Sequence, residues 1–183
     1  QIPIANEVFS PTEAEVAEAV AGKGAFKKDG ARKHIRVIAA LFPEDLHLVV
    51  AASSKIASVS DLRRKRVSLG AEGSGSLVPA RAVLAAWRLR ERHLKASFDP
   101  PEIAAQKLAR DELDAFFFVG GPPVPLMLNL IARKQARLVS IDGDGRARLL
   151  KASPSLSADT IPAGTYPGLG KVETVKTRAL WIV

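Results

Sequence analysis

The sequence predicts an α/β protein with a mainly parallel sheet and flanking helices. Strand-like and helix-like segments alternate along most of its 183 residues, as they do in βαβ units. Residues 113–119 are almost wholly apolar, which is typical of a strand buried on both faces of a parallel sheet. Residues 70–76 are rich in glycine and serine and lie between a predicted strand and a predicted helix. The length suits one ordinary domain or two small lobes.

The first quarter of the chain contains three predicted strands and one predicted helix. Residues 2–5 form a short apolar run that predicts a strand. Ser10 is predicted to be the N-cap of a helix that continues until Gly22, because proline and glutamate follow it at the positions favoured in a first turn. Residues 35–41 and 46–51 are apolar runs separated by Phe-Pro-Glu-Asp, which predicts two strands joined by a turn.

The rest of the chain continues the alternation. The predicted elements, in order, are a strand at 67–69, a helix at 77–94, a helix from 99 to about 111, a strand at 113–119, a helix at 124–131, a strand at 137–141, a turn at 142–145 and a final strand at 173–183.

Composition excludes several classes of function. The chain has no cysteine, which rules out a disulfide scaffold, a thiolate zinc site and a cysteine nucleophile. Its three histidines lie far apart, so neither a metal site nor a bound cofactor is expected. No run of eighteen apolar residues is present, so the chain is not expected to span a membrane. The net charge is +8, but the basic residues are scattered and aromatics are only 5%, so no nucleic-acid partner is expected.

The glycine-rich turn at residues 70–76 lacks the enzyme motifs that share its position in a fold. A phosphate-binding Walker loop needs lysine where Ser76 stands, and a dinucleotide-binding turn needs glycine where Val78 stands. No serine is flanked as in a hydrolase nucleophile elbow. Ser74, Gly75 and Ser76 could instead form a cradle for an anion or carboxylate at a helix start. A purely structural strand-to-helix turn is the other reading, and both stay open.

A second candidate region ends the buried strand. Phe118, Gly120 and Pro122 lie where the strand gives way to glycine and proline, and ligands of open α/β sheets bind at that edge. Successive phenylalanines point to opposite faces of a strand, so one or two of them could line a cleft. The alternative is that all of them fill the core. Nothing in the sequence suggests a catalytic acid–base pair or triad, so we do not expect an enzyme.

The ordered set of segments resembles a known family, the TAXI-type solute receptors of TRAP transporters. The resemblance covers nearly the whole chain. It is carried by Phe26 and by IAALFPE at 38–44, LHLVV at 46–50, SDL at 60–62, KRV at 65–67, GAEGSGS at 70–76, LDAFF at 113–117, Gly120, Pro122 and IPAGTYPG at 161–168.

The resemblance implies a two-lobed, type II periplasmic-binding-protein-like fold with a ligand cleft between the lobes. Residues 1–49 and 171–183 would belong to an incomplete lobe 1 and residues 50–170 to lobe 2, in a chain truncated at both ends. Residues 46–51 and 175–183 are expected to cross between the lobes as neighbouring hinges. The expected partners are a small organic anion, such as an amino acid or carboxylate, and the membrane permease subunits of a TRAP transporter, at a periplasmic location. The expected ligand contacts are Asn6, Ser74, Gly75, Ser76, Phe118, Gly120, Pro122 and Tyr166.

Three positions depart from the family pattern. Glu72 stands where proline is usual, and its carboxylate would repel an anionic ligand at close range. Arg64 and Asp111 replace usual glycines, which is expected to affect only turns. An enzyme domain or the effector domain of a transcription regulator on the same two-lobed scaffold is the alternative function, because fold alone does not separate these classes.

Overall fold

The structure, a computed structural model, describes residues 11–28 and 30–183. Within them, seven strands form one sheet flanked by five α-helices. The strands are β1 Val37–Ala51, β2 Arg66–Ser68, β3 Lys95–Ser97, β4 Ala115–Gly120, β5 Ala136–Leu138, β6 Ser157–Ile161 and β7 Val172–Ile182. The helices are α1 Glu13–Ala21, α2 Leu77–Ala86, α3 Pro101–Ala109, α4 Pro125–Ala132 and α5 Gly143–Ala152. The predicted strand at residues 2–5 lies outside the described residues.

The sheet is mixed, with the strand order β3-β2-β4-β1-β7-β6 and with β5 paired to β1. The α/β class with flanking helices is confirmed. The prediction that the sheet is mainly parallel needs correction, since only the pairs β2–β3 and β2–β4 are parallel, whereas β1 is antiparallel to β4, β5 and β7, and β6 to β7. Parallel neighbours need a crossover connection, usually a helix, whereas antiparallel neighbours do not. Within the described residues, the long strands β1 and β7 have only antiparallel neighbours.

β1 is one continuous strand, not the two strands and turn that the sequence predicts. Its register against β7 shifts between Val37 and Ala39 and again between Ala40 and Pro43. Proline is tolerated there because, within the described residues, this part of β1 pairs only with β7, so its other edge makes no ladder hydrogen bonds. The register against β7 is irregular at this point, which suits a residue that has no N–H to donate. The Phe-Pro-Glu-Asp segment therefore bends the strand without ending it.

Two helix boundaries also differ from the sequence prediction. The N-cap of α1 is Thr12, whose side chain accepts a hydrogen bond from the backbone of Glu15; the predicted N-cap, Ser10, lies outside the described residues. α2 ends at Ala86 instead of near residue 94, because Arg88 takes a left-handed backbone with φ of 57°. The Leu89 N–H then bonds the Leu84 carbonyl and closes the helix.

The core consists of two apolar clusters on opposite faces of the sheet. Leu48 and Phe117 belong to the cluster beneath α2 and α5, and Phe116 and Phe118 belong to the one beneath α3 and α4. The alternation follows from the two-residue period of a strand. It confirms that successive phenylalanines face opposite sides.

The two predicted hinge runs are close in the sheet. β7 pairs with β1 along residues 37–45, directly before the run 46–51, and the last pair in this register joins Asp45 to Lys176. The Thr174 hydroxyl also donates a hydrogen bond to the Leu46 carbonyl, at 2.5 Å. The division into lobes at residues 49/50 and 170/171 stays a prediction.

Candidate functional site

The glycine-rich loop and the strand end after β4 meet at one edge of the sheet. β2 and β4 are parallel neighbours, with Ser68 opposite Phe116, so the loops that follow both strands leave from the same edge. A hydrogen bond of 2.9 Å from the Val119 N–H to the Ser76 hydroxyl joins the two loops. The two candidate segments of the sequence analysis, the loop 70–76 and the end of β4, therefore lie next to each other, after adjacent strands.

The start of α2 has backbone N–H groups that make no hydrogen bond within the described residues. The Ser76 hydroxyl is taken by Val119, and it does not cap the helix. Within the described residues, the N–H groups of Gly75, Ser76 and Val78 donate to no acceptor. Such groups, together with the helix dipole, make a helix start attractive to a negative charge.

The N-terminus of α1 packs directly against this loop. A side-chain carbon added at Gly75 would come within 2.6 Å of the Thr12 methyl group and 3.2 Å of a Glu15 carboxylate oxygen. Gly75 is therefore required by helix packing, whatever else the loop does. The Glu15 carboxylate closes the capping box of α1 by accepting hydrogen bonds from the Thr12 N–H and hydroxyl, at 2.9 and 3.2 Å.

A cavity of about 290 Å³ opens between α1 and the first turns of α2. Its walls are mainly apolar, and Glu15, Glu18, Ser74 and Arg81 are its charged or hydroxyl-bearing side chains. The lining residues are Pro11, Glu15, Val16, Glu18, Ala19, Phe26, Ile35, Gly73, Ser74, Leu77, Val78, Arg81 and Ile182. Its size lies just below the usual range for small-molecule sites, roughly 300–1,000 Å³.

Only some of the charged side chains that line the cavity form ion pairs. Arg81 forms an ion pair with Glu91, at 2.6 Å, whereas neither Glu15 nor Glu18 forms an ion pair within the described residues. Burial raises the pKa of Glu15, and the nearby Glu18 carboxylate raises it further, while hydrogen bonds from Thr12 lower it. The cavity thus combines apolar walls with two carboxyl groups that form no ion pair within the described residues.

The remaining predicted contacts lie away from this cavity. Phe118 is buried and stacks on the His47 ring, with centroids 4.4 Å apart. Gly120 lies against that phenylalanine, since an added carbon would approach its ring to 3.2 Å. Pro122 is half-buried in the loop that follows. Of the eight predicted contacts, only Ser74 lines the cavity among those that the structure describes; Asn6 lies outside the described residues.

Tyr166 is buried in an internal hydrogen-bond chain. The Nδ1 atom of His47 lies 2.9 Å from the Asp45 carbonyl, which can only accept, so Nδ1 carries the proton and Nε2 is the acceptor. The Tyr166 hydroxyl therefore donates to Nε2, at 2.9 Å, and accepts from the Val124 N–H, at 3.2 Å. Burial lowers the pKa of His47 to about 4, which agrees with a neutral ring. These bonds engage the hydroxyl as both donor and acceptor and indicate a bracing role.

A carboxyl pair, buried Asp45 and partly exposed Asp159, adjoins this chain. Asp45 is 5% exposed, and one of its carboxyl oxygens has no hydrogen-bond partner within the described residues. Burial raises the pKa of Asp45 to about 7, and the Asp159 carboxylate contributes in the same direction. Lys176 pairs with Asp159 at 3.0 Å. The sequence analysis missed this pair because the two residues come from distant strands, and burial is what makes Asp45 unusual.

Two further searches of residues 11–28 and 30–183 gave negative results. No group of three or more histidine, aspartate or glutamate side chains has a geometry that could hold a metal ion. No helix is both long enough and apolar enough to cross a bilayer.

The mixed sheet, its flanking helices and the helix-start cavity define an α/β protein whose candidate site lies at the edge of its parallel strands. Residues 12–183 match the NMT1-like family, and the chain belongs to that family. Solved structures give weaker matches. The alkanesulfonate-binding protein SsuA from Xanthomonas axonopodis pv. citri, bound to MOPS, is 25% identical, with 52% of this chain and 31% of that chain covered and a TM-score of 0.45.

Two other solved structures are similar at the same level. The periplasmic aliphatic sulphonate binding protein SsuA from Escherichia coli is 19% identical, with 55% of this chain and 33% of that chain covered and a TM-score of 0.46. Holo ArgBP from T. maritima is 12% identical, with 95% of this chain and 63% of that chain covered and a TM-score of 0.45. The chain spans about a third of the length of the two sulfonate-binding proteins that it matches.

Proposed function

We propose that this chain is part of an extracytoplasmic solute-binding receptor. It captures a small organic anion, such as an amino acid or a carboxylate, and delivers it to the membrane permease subunits of a TRAP-type transporter. The transporter type and the periplasmic location rest on the resemblance of the sequence to TAXI-type receptors. The chain binds its solute without transforming it.

The observation that carries this proposal is the open start of α2 beside a cavity. The N–H groups of Gly75, Ser76 and Val78 have no acceptor within the described residues, and a carboxylate of the solute would supply one. The cavity of about 290 Å³ begins at the same turn of the helix and offers room for the apolar part of a small solute.

The buried histidine supports binding over catalysis. Both ring nitrogens of His47 are engaged, one with the Asp45 carbonyl and one with the Tyr166 hydroxyl. A general base must have a free nitrogen within reach of its substrate. His47 is also buried, at 1% exposure, so its contacts are those of a structural residue.

The proposal is tested by filling the cavity. Val78 lines the cavity, whereas Ala85 is exposed on the same helix. Val78→Phe should weaken solute binding at least about tenfold, equivalent to roughly 1.4 kcal/mol, and Ala85→Phe should leave it unchanged. Native mass spectrometry of the intact protein identifies the co-purified solute, and calorimetry with that solute measures both variants. Equal affinities for Val78→Phe and the unmodified protein would place the solute elsewhere.

Substitutions inside the loop are less decisive. Gly75→Val is expected to weaken binding at least about tenfold, but it also pushes against Thr12. Ser76→Ala is expected to lose about 0.5–1.5 kcal/mol, but it also frees the Val119 N–H. Both changes disturb packing at the sheet edge, so the cavity variant is the sharper test.

A further inference from the structure

Two basic runs of the chain meet where the parallel strands β2 and β3 begin. Residues 63–66 and 88–95 each contain four lysine or arginine residues. One run leads into β2 and the other into β3, and these strands are parallel neighbours. The Lys95 N–H donates a hydrogen bond to the Lys65 carbonyl, at 2.8 Å. Main-chain pairing thus places two basic segments that are distant in sequence side by side.

The side chains of the two runs also lie close together, around His93. The Arg64 N–H donates to the His93 carbonyl, at 2.7 Å. Desolvation lowers the pKa of His93, and the positive charges of Arg63, Arg92 and Arg90 lower it further. Cations from both runs therefore form one surface, the basic edge, which consists of Arg63, Arg64, Lys65, Arg90, Arg92 and Lys95.

The charge of the basic edge is not neutralised within the described residues. Its six cations are exposed, and none of them forms an ion pair in the part of the chain that the structure describes. The acidic side chains of the same segments are engaged elsewhere. Glu91 pairs with Arg81, at 2.6 Å, and Asp114 pairs with Arg66, at 2.7 Å, while the Asp61 carboxylate caps its own turn. The basic edge is therefore free to bind an anionic partner.

The basic edge presents charge without apolar surface. Leu62, Leu89 and Leu94 come from the same segments and are buried, at 0%, 3% and 9% exposure. None of the exposed large apolar side chains of the described residues belongs to either run. A partner is therefore held there by charge, and salt must weaken the contact.

A phospholipid surface fits the basic edge better than a nucleic acid does. Single strands bind where aromatic side chains stack on bases, and neither run contains phenylalanine, tyrosine or tryptophan. Duplex DNA is usually bound by a helix in the major groove, whereas the six cations lie outside the five α-helices. A bilayer needs neither feature, because the negative potential of anionic lipids attracts exposed lysine and arginine side chains.

We propose that the basic edge attaches the protein to the surface of a bilayer that contains anionic phospholipid. This inference rests on the proposed function, which places the protein beside membrane permeases, and it adds a second contact to that function. The basic edge lies where β2 and β3 begin, whereas the loops of the candidate site follow the ends of β2 and β4. A protein held by the basic edge therefore keeps its candidate site open to solution. The contact concentrates the receptor at the membrane and is distinct from its contact with the permease.

Vesicle flotation of the intact protein tests the attachment. Vesicles of phosphatidylcholine mixed with phosphatidylglycerol should carry the protein at low salt, and vesicles of phosphatidylcholine alone should not. At about 1 M salt, where the Debye length is about 3 Å, the binding should disappear. Equal binding to the two kinds of vesicle, binding that persists at high salt, or no binding to the mixed vesicles would overturn the proposal.

A triple variant locates the attachment. Arg63→Gln, Lys65→Gln and Arg92→Gln together remove half of the cations of the basic edge without touching the candidate site. Each cation near an anionic surface contributes about fivefold in affinity, so this variant should bind the mixed vesicles on the order of a hundredfold more weakly.

The matched control removes the same amount of charge from another basic stretch of the chain. It combines Lys23→Gln, Lys27→Gln and Lys33→Gln, three exposed lysines that form no ion pair within the described residues. The control should lose less than about fivefold in vesicle affinity, the contribution of a single cation. Equal losses in the two triple variants would show that net charge and not the basic edge binds the bilayer. Tighter binding of a short DNA duplex than of the mixed vesicles would also overturn the proposal.

Solute binding separates this proposal from the proposed function. Both triple variants should bind the co-purified solute as the unmodified protein does, as measured by calorimetry. A protein that binds its solute but not the mixed vesicles contradicts the attachment alone. A protein that binds the mixed vesicles through the basic edge but has no solute contradicts the receptor function alone.

Discussion

The two halves of β1 have similar compositions and opposite environments. In the first half, Val37 and Leu41 are 51% and 46% exposed, whereas Leu48 and Val49 in the second half are 1% and 0% exposed. The first half pairs only with β7. The second half pairs with β4 and β5 and is covered by helices on both faces of the sheet. Burial along one strand is thus set by its neighbours and not by its own hydrophobicity.

The largest expected contrast comes from the same substitution in each half. Leu48→Ala removes a fully buried side chain and should lower the free energy of unfolding by about 2–5 kcal/mol. Leu41→Ala removes an exposed side chain of the same type and should change it by less than about 0.5 kcal/mol. Urea unfolding followed by circular dichroism measures both values. Similar losses for the two variants would mean that the first half of β1 is covered in solution.

This contrast also marks the limit of the sequence analysis. The alternation of strands and helices predicted the α/β class, and the apolar run 113–119 predicted the buried strand β4. The same apolar pattern could not distinguish the exposed half of β1 from the buried half, because local hydrophobicity does not indicate which strands pair. The mixed sheet was missed for the same reason, since pairing direction depends on long-range topology.

Helix ends show a second limit. Arg88 ends α2 with a left-handed backbone, which arginine rarely adopts. The sequence therefore has no glycine at this position to predict the end of the helix. Arg64 and Asp111, where the resemblance to TAXI-type receptors implies glycines, have φ of 65° and 57°. Those two turns were therefore recognisable from the resemblance, because glycine is the residue that such a backbone favours.

The candidate site was predicted only in its local part. The loop 70–76 was found because its composition and its place between strand and helix are readable in sequence. The packing of Thr12 on Gly75 and the cavity beside Glu18 depend on α1 docking against α2, across about sixty residues of chain. Tyr166 and Phe118 were expected as ligand contacts, but their aromatic character equally suits the internal contacts with His47 that the structure describes.

The second prediction concerns pH and the residue where β1 changes environment. Burial raises the pKa of Asp45 to about 7, above an unfolded value of about 3.9. Between about pH 4 and pH 7 the folded protein therefore holds a proton that the unfolded chain has lost, so this group lowers stability as the pH rises. His47 acts in the opposite sense, because burial lowers its pKa to about 4 and stability from this group falls as the pH drops below about 6.5.

Asp45→Asn should separate these opposing effects. Without the carboxyl group, the stability difference between variant and unmodified protein should move in favour of the variant between pH 4 and pH 7, by on the order of a few kcal/mol. Urea unfolding at steps of pH measures this difference, and carboxyl-carbon NMR gives the Asp45 midpoint directly. An Asp45 midpoint at or below pH 4, or a stability difference that stays constant with pH, contradicts the prediction.

The smallest expected effect compares two buried threonines of β7. Thr174 lies beside the buried half of β1 and donates a hydrogen bond to the Leu46 carbonyl, at 2.5 Å. Thr177 pairs with Glu44 at the end of the exposed half, and its hydroxyl is buried without a partner within the described residues. Valine has nearly the same shape as threonine and keeps the β-branched form that strands favour.

Thr174→Val should therefore lower the free energy of unfolding by about 0.5–1.5 kcal/mol, since one hydrogen bond is lost. Thr177→Val should leave it unchanged or raise it, because a buried hydroxyl without a partner is replaced by an apolar group. Thermal and urea unfolding of the two variants give the comparison. A loss in Thr177→Val that equals the loss in Thr174→Val would contradict the prediction. It would show that the Thr177 hydroxyl has a hydrogen-bond partner in solution, as the Thr174 hydroxyl does.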